Sequence, residues 1–234
     1  MTANRPARSL TVSAEDYLKA IYTLSADAPA STTEIAQRLD LAPASVTGMI
    51  RRLSSQKLLD HQPYRGVVLT PAGRRMALRV LRRHRVIEAY LAKFLGYRMD
   101  DVHAEADRLE HAASDALVER MAAALGHPRV DPHGGPIPDA DGRLDKVTYT
   151  ALADLPLGQD AQLRRVTATE PERLRYLAEA GLVPGARVCL VDRQPFDGPV
   201  TVRVAGAERT LGREMARLLL CDLTVGPGRA ARRQ

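Results

Sequence analysis

Through its first half the chain places apolar residues at the three-to-four spacing of helices packed on one side. In SAEDYLKAIYTL, residues 13–24, Tyr17, Ile21 and Leu24 share a face, and Ser13 stands in the N-cap place. STTEIAQRLDL follows, with Ser31 and Glu34 spaced as a capping box and Ile35 and Leu39 four apart. After LAP, residues 44–56 carry the stripe Val46, Met49, Ile50, Leu53. Two short helices about a sharp turn predict a helix-turn-helix. KLLDHQPYRGVVLT then changes the period to two short apolar runs about a Pro/Gly turn, a hairpin wing with Tyr64 and Arg65 at its tip. A long helix is expected after Thr70, with Pro71 at its first position and Ala77, Leu78 and Leu81 set among arginines. Residues 100–125 predict one further amphipathic helix, apolar at Val102, Ala106, Leu109, Ala113, Ala116 and Leu117. Its small residues suit a close-packed partner helix, from this chain or from a second copy.

GHPRVDPHGGPIPDADG, residues 126–142, is too rich in Pro, Gly and Asp for a helix or central strand and predicts a compact loop. Beyond it the pattern turns to short β runs (QLRRVTA, ARVCLVDR, VTVRVAG, LLLCDLTV) and one helix, PERLRYLAEAG, ending on Gly181. A strongly bent small sheet or SH3-like barrel is expected there. The fold class is therefore mainly α with small β parts. Its expected divisions are a winged helix-turn-helix over 1–72, a helical domain over 73–141, a linker over 142–150, an SH3-like domain over 151–226 and a disordered tail over 227–234.

Composition narrows the setting. No run approaches the roughly 18–20 apolar residues of a membrane span, and MTANRPARSL lacks a signal peptide's apolar core, so a cytoplasmic protein is expected. Cys189 and Cys221 lie in apolar, strand-like surroundings without partners at metal-ligand spacing, which argues against zinc-finger and disulfide scaffolds. Residues 1–95 hold 15 Lys/Arg against 7 Asp/Glu, whereas residues 96–126 hold 3 against 7. The first imbalance suits a polyanion, the second a cation or plain solvation.

The acidic segment contains VHAEADRLEH, residues 102–111. At about 100° per residue on a helix, Asp107, Glu110 and His111 fall within about 80° of His103, while Glu105 points away to solvent. Upstream, HRVIE sets His84 and Glu88 one turn apart. Imidazole nitrogens and carboxylate oxygens without thiolate suit Mn²⁺, Fe²⁺, Co²⁺ or Zn²⁺, and the oxygen-rich sets lean toward Mn²⁺ or Fe²⁺. The alternative is a salt-bridged, half-exposed helix pair. Adjacent Glu110 and His111 lack the Glu-x-x-His spacing of di-metal carboxylate enzymes, and no P-loop, G-x-S-x-G or H-E-x-x-H occurs, so an enzyme is not expected.

In order and spacing, EDYLKAIY, TEIAQRL, SVTGMIRRL, GVVLTPAGR, RRHRVIEAYL, VHAEADRLEH and DPHGGPIP resemble the diphtheria toxin repressor family, which includes iron-dependent repressors and manganese transport regulators. The resemblance runs over residues 13–226. It implies a winged helix-turn-helix, a helical dimerisation and metal-binding domain and an SH3-like domain of the FeoA type. It also implies a homodimer that binds a double-stranded DNA operator when loaded with metal, two sites per subunit, and control of metal-homeostasis genes.

By the same resemblance the primary site takes Asp16, Asp107, Glu110 and His111, and the ancillary site His84, Glu88 and His103, completed from the SH3-like domain. Glu170 matches one of the two completing ligands; Arg173 replaces the other, with Glu172 nearby as a substitute. Iron-sensing relatives carry Met and Cys where this chain has Asp16 and Asp107, so oxygen for sulfur favours Mn²⁺ over Fe²⁺. Lys19 replaces a glutamate of manganese regulators. Taken alone, Ser13 and Asp16 also read as a near capping box, with Asp16 serving only the first helical turn. For DNA, Ala44, Ser45, Thr47, Gly48 and Arg51 should face the major groove, with Arg52, Arg65 and the basic N-terminal arm on phosphates. Gly48 stands where some relatives carry a base-contacting side chain, which shifts specificity toward shape.

Overall fold

The computed structural model describes residues 11–25, 28–62, 65–144 and 147–223; Tyr64, the N-terminal arm and the expected tail lie outside them. The chain forms two compact units, residues 1–84 with 138–144, and residues 85–137 with 145–234.

The first unit opens with α1 (Val12–Leu24), α2 (Thr32–Leu39) and α3 (Pro43–Ser55). Ser31 and Glu34 close the expected capping box at α2. At α1 the cap is Thr11 rather than Ser13, accepting from the Ala14 amide. The helix thus starts two residues earlier, and Asp16 becomes its fifth residue, past the amides a capping carboxylate serves. Strands β1 (Leu59–Gln62) and β2 (Gly66–Leu69) pair antiparallel as the wing. Tyr17, Leu18, Ile21, Ile35, Val46, Ile50, Leu53 and Val67 form the buried core, so α3 buries one stripe and leaves the opposite face to solvent.

Helix α4 (Pro71–Leu95) begins beside the wing, its Gly73 amide donating to the Thr70 hydroxyl at 3.1 Å. A Cβ on Gly73 would stand 2.0 Å from the Leu58 carbonyl oxygen. Gly73→Ala is accordingly expected to destabilise the protein by about 1–3 kcal/mol, read as a lowered melting temperature.

In the second unit the segment expected as one helix over 100–125 is two. Helix α5 (Val102–Leu109) ends, and α6 (Asp115–Ala124) starts after Ser114, whose hydroxyl accepts from the Leu117 amide at 3.2 Å. The apolar period continues across the break, but Ser114 offers the backbone a new N-cap, and a fresh helix wins over extension.

The remainder is a six-stranded antiparallel sheet of order β3-β8-β4-β5-β6-β7. Its strands are β3 (Thr150–Ala151), β4 (Asp160–Val166), β5 (Arg187–Arg193), β6 (Val200–Val204), β7 (Ala207–Leu211) and β8 (Leu219–Leu223). Helices α7 (Pro171–Glu179) and α8 (Arg213–Arg217) accompany it. Val200, Val202 and Val204 alternate inward as period two requires, packing with Leu163, Leu174 and Leu190. Cys189 and Cys221 are buried and unpaired as expected, and burial pushes the Cys221 thiol up to about 12. No helix among the described residues is long and apolar enough to cross a membrane.

Candidate metal centre

Helix α4 carries His84 and Glu88 one turn apart, both buried. Glu88 is the hub of the second unit's polar cluster. One of its oxygens lies 2.9 Å from His103 Nδ1 on α5, and the other 3.8 Å from His133 Nδ1 in the loop after α6. His133 Nε2 stands 2.9 Å from the Met99 carbonyl, which can only accept, so Nε2 carries the proton and Nδ1 is turned to the carboxylate. A carbonyl on the far nitrogen is the outer contact that orients a metal-ligating imidazole.

Asp131 completes the group. One carboxylate oxygen accepts from the amides of His133 at 2.9 Å and Gly135 at 2.8 Å, while the other lies 3.1 Å from Arg85 Nε. Donor atoms of Glu88, Asp131 and His133 all come within 4.8 Å of one another. Burial and then the neighbouring Glu88 charge push the Asp131 carboxyl up. Burial works against charge on His133, but its contact with Glu88 and the two acidic charges outweigh it and raise its pKa. Two carboxylates that disfavour each other's charge in a buried pocket are the setting a divalent cation relieves.

The loop cannot be built from other residues. A Cβ on Gly134, whose φ is 81°, would come 1.8 Å from the Arg164 carbonyl oxygen, and one on Gly135 would meet Asp131 at 2.4 Å. The Val166 amide then donates to the His133 carbonyl at 2.8 Å, seating the loop on β4.

Asp131 and His133 are functional candidates that sequence reasoning missed. Glu170 and Glu172 are placed elsewhere. Both are exposed at the start of α7, and Glu170 accepts from the Thr169 amide at 3.2 Å and lies 3.8 Å from Arg173. Arg173 in turn reaches Glu214 at 3.3 Å.

A second set sits at the far end of α5. Glu110 is wholly buried, and one of its oxygens lies 3.3 Å from His111 Nε2. Asp107 is exposed, 3.6 Å from His103 Nε2. Glu105 pairs with Arg108 at 3.0 Å on the outer face, away from these donors. Asp16, half-buried on α1, and His84 belong to the first unit. In that unit Glu15 pairs with Arg83 at 2.8 Å, so the carboxylate next to Asp16 is already committed.

Asp100, just before α5, is a buried carboxylate gripped by Arg98 and by Arg175 of α7, each at 3.0 Å. Burial opposes its charge, but the two guanidinium hydrogen bonds outweigh this and hold its pKa below the ordinary carboxylate value of 3.8. A lowered pKa contributes stability above the unfolded value, and that contribution disappears as pH falls through the folded one. Wild type should therefore melt above Asp100→Asn at pH 5, by an increment of about 1–3 kcal/mol. The gap should close toward pH 2 in paired thermal melts.

On the exposed face of α3 lie Ala44, Ser45, Gly48, Arg51 and Arg52, with Thr47 half-buried at its edge and Arg65 exposed on the wing. A winged helix carrying a cationic face, a helical segment with nitrogen and oxygen donors and a small β domain together define a metal-responsive DNA-binding architecture. Three family models match in the same order: "Iron dependent repressor, N-terminal DNA binding domain" over residues 9–67, "Iron dependent repressor, metal binding and dimerisation domain" over 70–139, and "FeoA domain" over 150–223. The iron-dependent repressor IdeR of Mycobacterium tuberculosis (strain ATCC 25618 / H37Rv) is 33% identical over 216 residues, 86% of this chain and 93% of that one. A solved manganese-dependent transcriptional repressor in complex with manganese superposes with a TM-score of 0.84 at 39% identity, covering 90% of this chain and 99% of the other. ScaR with bound Cd²⁺ superposes with a TM-score of 0.79 at 33% identity, covering 90% and 99%. The chain belongs to the iron-dependent repressor family, as the resemblance in its sequence implied, with the winged-helix and FeoA-type SH3-like parts expected of it.

Proposed function

We propose that this chain is a homodimeric, metal-dependent DNA-binding regulator of metal-ion homeostasis genes that takes Mn²⁺ in preference to Fe²⁺. The observation that carries the reading is the donor set: buried carboxylates and oriented imidazoles on α4, α5 and the 131–135 loop, with no sulfur among them. Such hard donors favour Mn²⁺. The likeness to a manganese-dependent repressor supports the same choice.

The primary site is assigned to Asp16, Asp107, Glu110 and His111, and the ancillary site to His84, Glu88 and His103. For the latter, Asp131 and His133 stand in for the expected Glu170 and Glu172. Bound at the primary site, the cation supplies charge that draws carboxylates of α1 and α5 to one point. The residues do the rest. Asp16 couples α1, and through the shared core α3, to the dimerisation helices, so that the two recognition helices of a dimer match successive turns of an operator. Exposed Leu109 and Leu117 on α5 and α6 supply an apolar surface for the second copy. Arg51, Arg52 and Arg65 serve the DNA.

Titrating the metal-free chain with Mn²⁺ calorimetrically should give two equivalents per chain. Binding should weaken as pH falls, since imidazole and carboxylate ligands hold a metal only when deprotonated. Fewer than one equivalent, or a pH-independent affinity, contradicts the assignment.

A further inference from the structure

The carboxyl-terminal sheet and the polar cluster around Glu88 belong to one compact unit. Among the described residues, the groups of metal-donor side chains draw on nothing beyond His133, and Glu170 and Glu172 stand exposed at the start of α7. The sheet therefore meets the cluster by another route, the turn of residues 98–101 ahead of α5. Its backbone is closed by the Asp101 and Val102 amides, which donate to the Arg98 carbonyl at 3.1 and 3.0 Å.

Two neighbouring residues of this turn face both ways. The Met99 side chain packs against the core of the sheet, while the Met99 carbonyl accepts from His133 Nε2 at 2.9 Å. A shift of the turn thus moves the sheet contact and the imidazole together. Asp100, buried beside it, accepts from Arg98 Nε on one oxygen and from Arg175 Nε of α7 on the other, each at 3.0 Å. A carboxylate so buried needs its charge met, and each guanidinium meets one oxygen. Arg98 is local to the turn, whereas Arg175 lies 75 residues further on and ties the turn to α7. On the other side of His133, the Val166 amide of β4 donates to its carbonyl at 2.8 Å. The sheet thereby holds His133 at the backbone directly and at the ring through Met99.

We propose that Asp100 and Arg175 are positioning residues for the ancillary metal site: they dock the sheet on the helical segment without metal, and so hold the Met99 carbonyl where it orients the His133 imidazole. This rests on the reading of His133 as a ligand and adds to it the contact that sets the ring.

The test compares hydrogen–deuterium exchange and Mn²⁺ calorimetry of the full-length wild type, Arg175→Ala and Arg175→Lys. In the metal-free wild type the amides of His133, Gly135 and Val166, all hydrogen-bonded at this seam, should be protected. Arg175→Ala should speed their exchange about tenfold or more, while amides inside β5 and β6 keep wild-type rates because the sheet itself stays folded. It should weaken the second Mn²⁺ equivalent about tenfold, the scale of a lost outer contact, and leave the first unchanged. Saturating Mn²⁺ should restore the protection, since coupling between docking and metal is reciprocal. Arg175→Lys, which keeps the charge but not the planar fork, should fall between the two. Unchanged exchange at the three amides, an unchanged second equivalent, or faster exchange throughout β5 and β6 overturns the proposal while leaving the ancillary site in place. A wild-type chain that takes a single equivalent overturns the ancillary-site reading, and the positioning role with it.

Discussion

A chain carrying Glu110→Ala together with His111→Ala is expected to lose its Mn²⁺ response on operator DNA, a difference of about 10- to 100-fold in affinity at saturating metal. Glu110 is wholly buried and touches His111, so the pair supplies one hard oxygen and one nitrogen from the end of α5. On the proposed primary site, their loss leaves the two carboxylates of Asp16 and Asp107 and no imidazole, a weaker donor set for a divalent cation. Weak, salt-sensitive binding to unrelated duplex should persist, because Arg51, Arg52 and Arg65 are unchanged and phosphate contacts need no metal. Gel-shift titrations with and without Mn²⁺ read both. Retained metal-dependent binding would place the activating site elsewhere.

Glu88→Ala is the second large effect. Glu88 reaches His103 with one oxygen and His133 with the other, inside a pocket that also holds Asp131 and Arg85. Its removal should cost about 2 kcal/mol or more of metal-free stability, from charge-assisted hydrogen bonds left unmade. It should also reduce bound Mn²⁺ from two equivalents to one. Glu88→Gln keeps the shape and should recover part of the stability without recovering the second metal, which separates packing from ligation. Two equivalents retained in both variants would remove Glu88 from the ligand set.

Much of this was written locally in the sequence. The capping box of Ser31 and Glu34, the Thr70-Pro71 start of α4 and the alternating valines of β6 are signals complete within a few residues, and each sits where the pattern put it. The misreadings share a cause, competition or folding-back that periodicity does not register. Ser114 ended one helix and capped another inside a continuous apolar period. The edge strand β7 reads as polar, AERTL, and so carries no apolar period, although Ala205 and Gly206, both with positive φ, form the two-residue turn leading into it. His103 and Glu88 were legible as ligand candidates because helices display them at fixed spacing. Asp131 and His133 were not, because a loop brings them to Glu88 through amide contacts and glycine packing that no spacing rule encodes. The adjacent Gly134 and Gly135 were the available signal, marking a backbone that had to approach something closely. Glu170 matched by position alone, and it stands exposed at the start of α7, 3.8 Å from Arg173.

The central claim is that a hard cation switches the chain onto DNA. The most direct measurement is the affinity of the metal-free chain for its selected operator, titrated with Mn²⁺, then with Fe²⁺ under anaerobic conditions, and finally with EDTA. Tightening of about 10- to 100-fold by Mn²⁺, a weaker effect of Fe²⁺ at equal concentration and full reversal by chelation is the predicted result. An operator affinity that chelation leaves unchanged would contradict it.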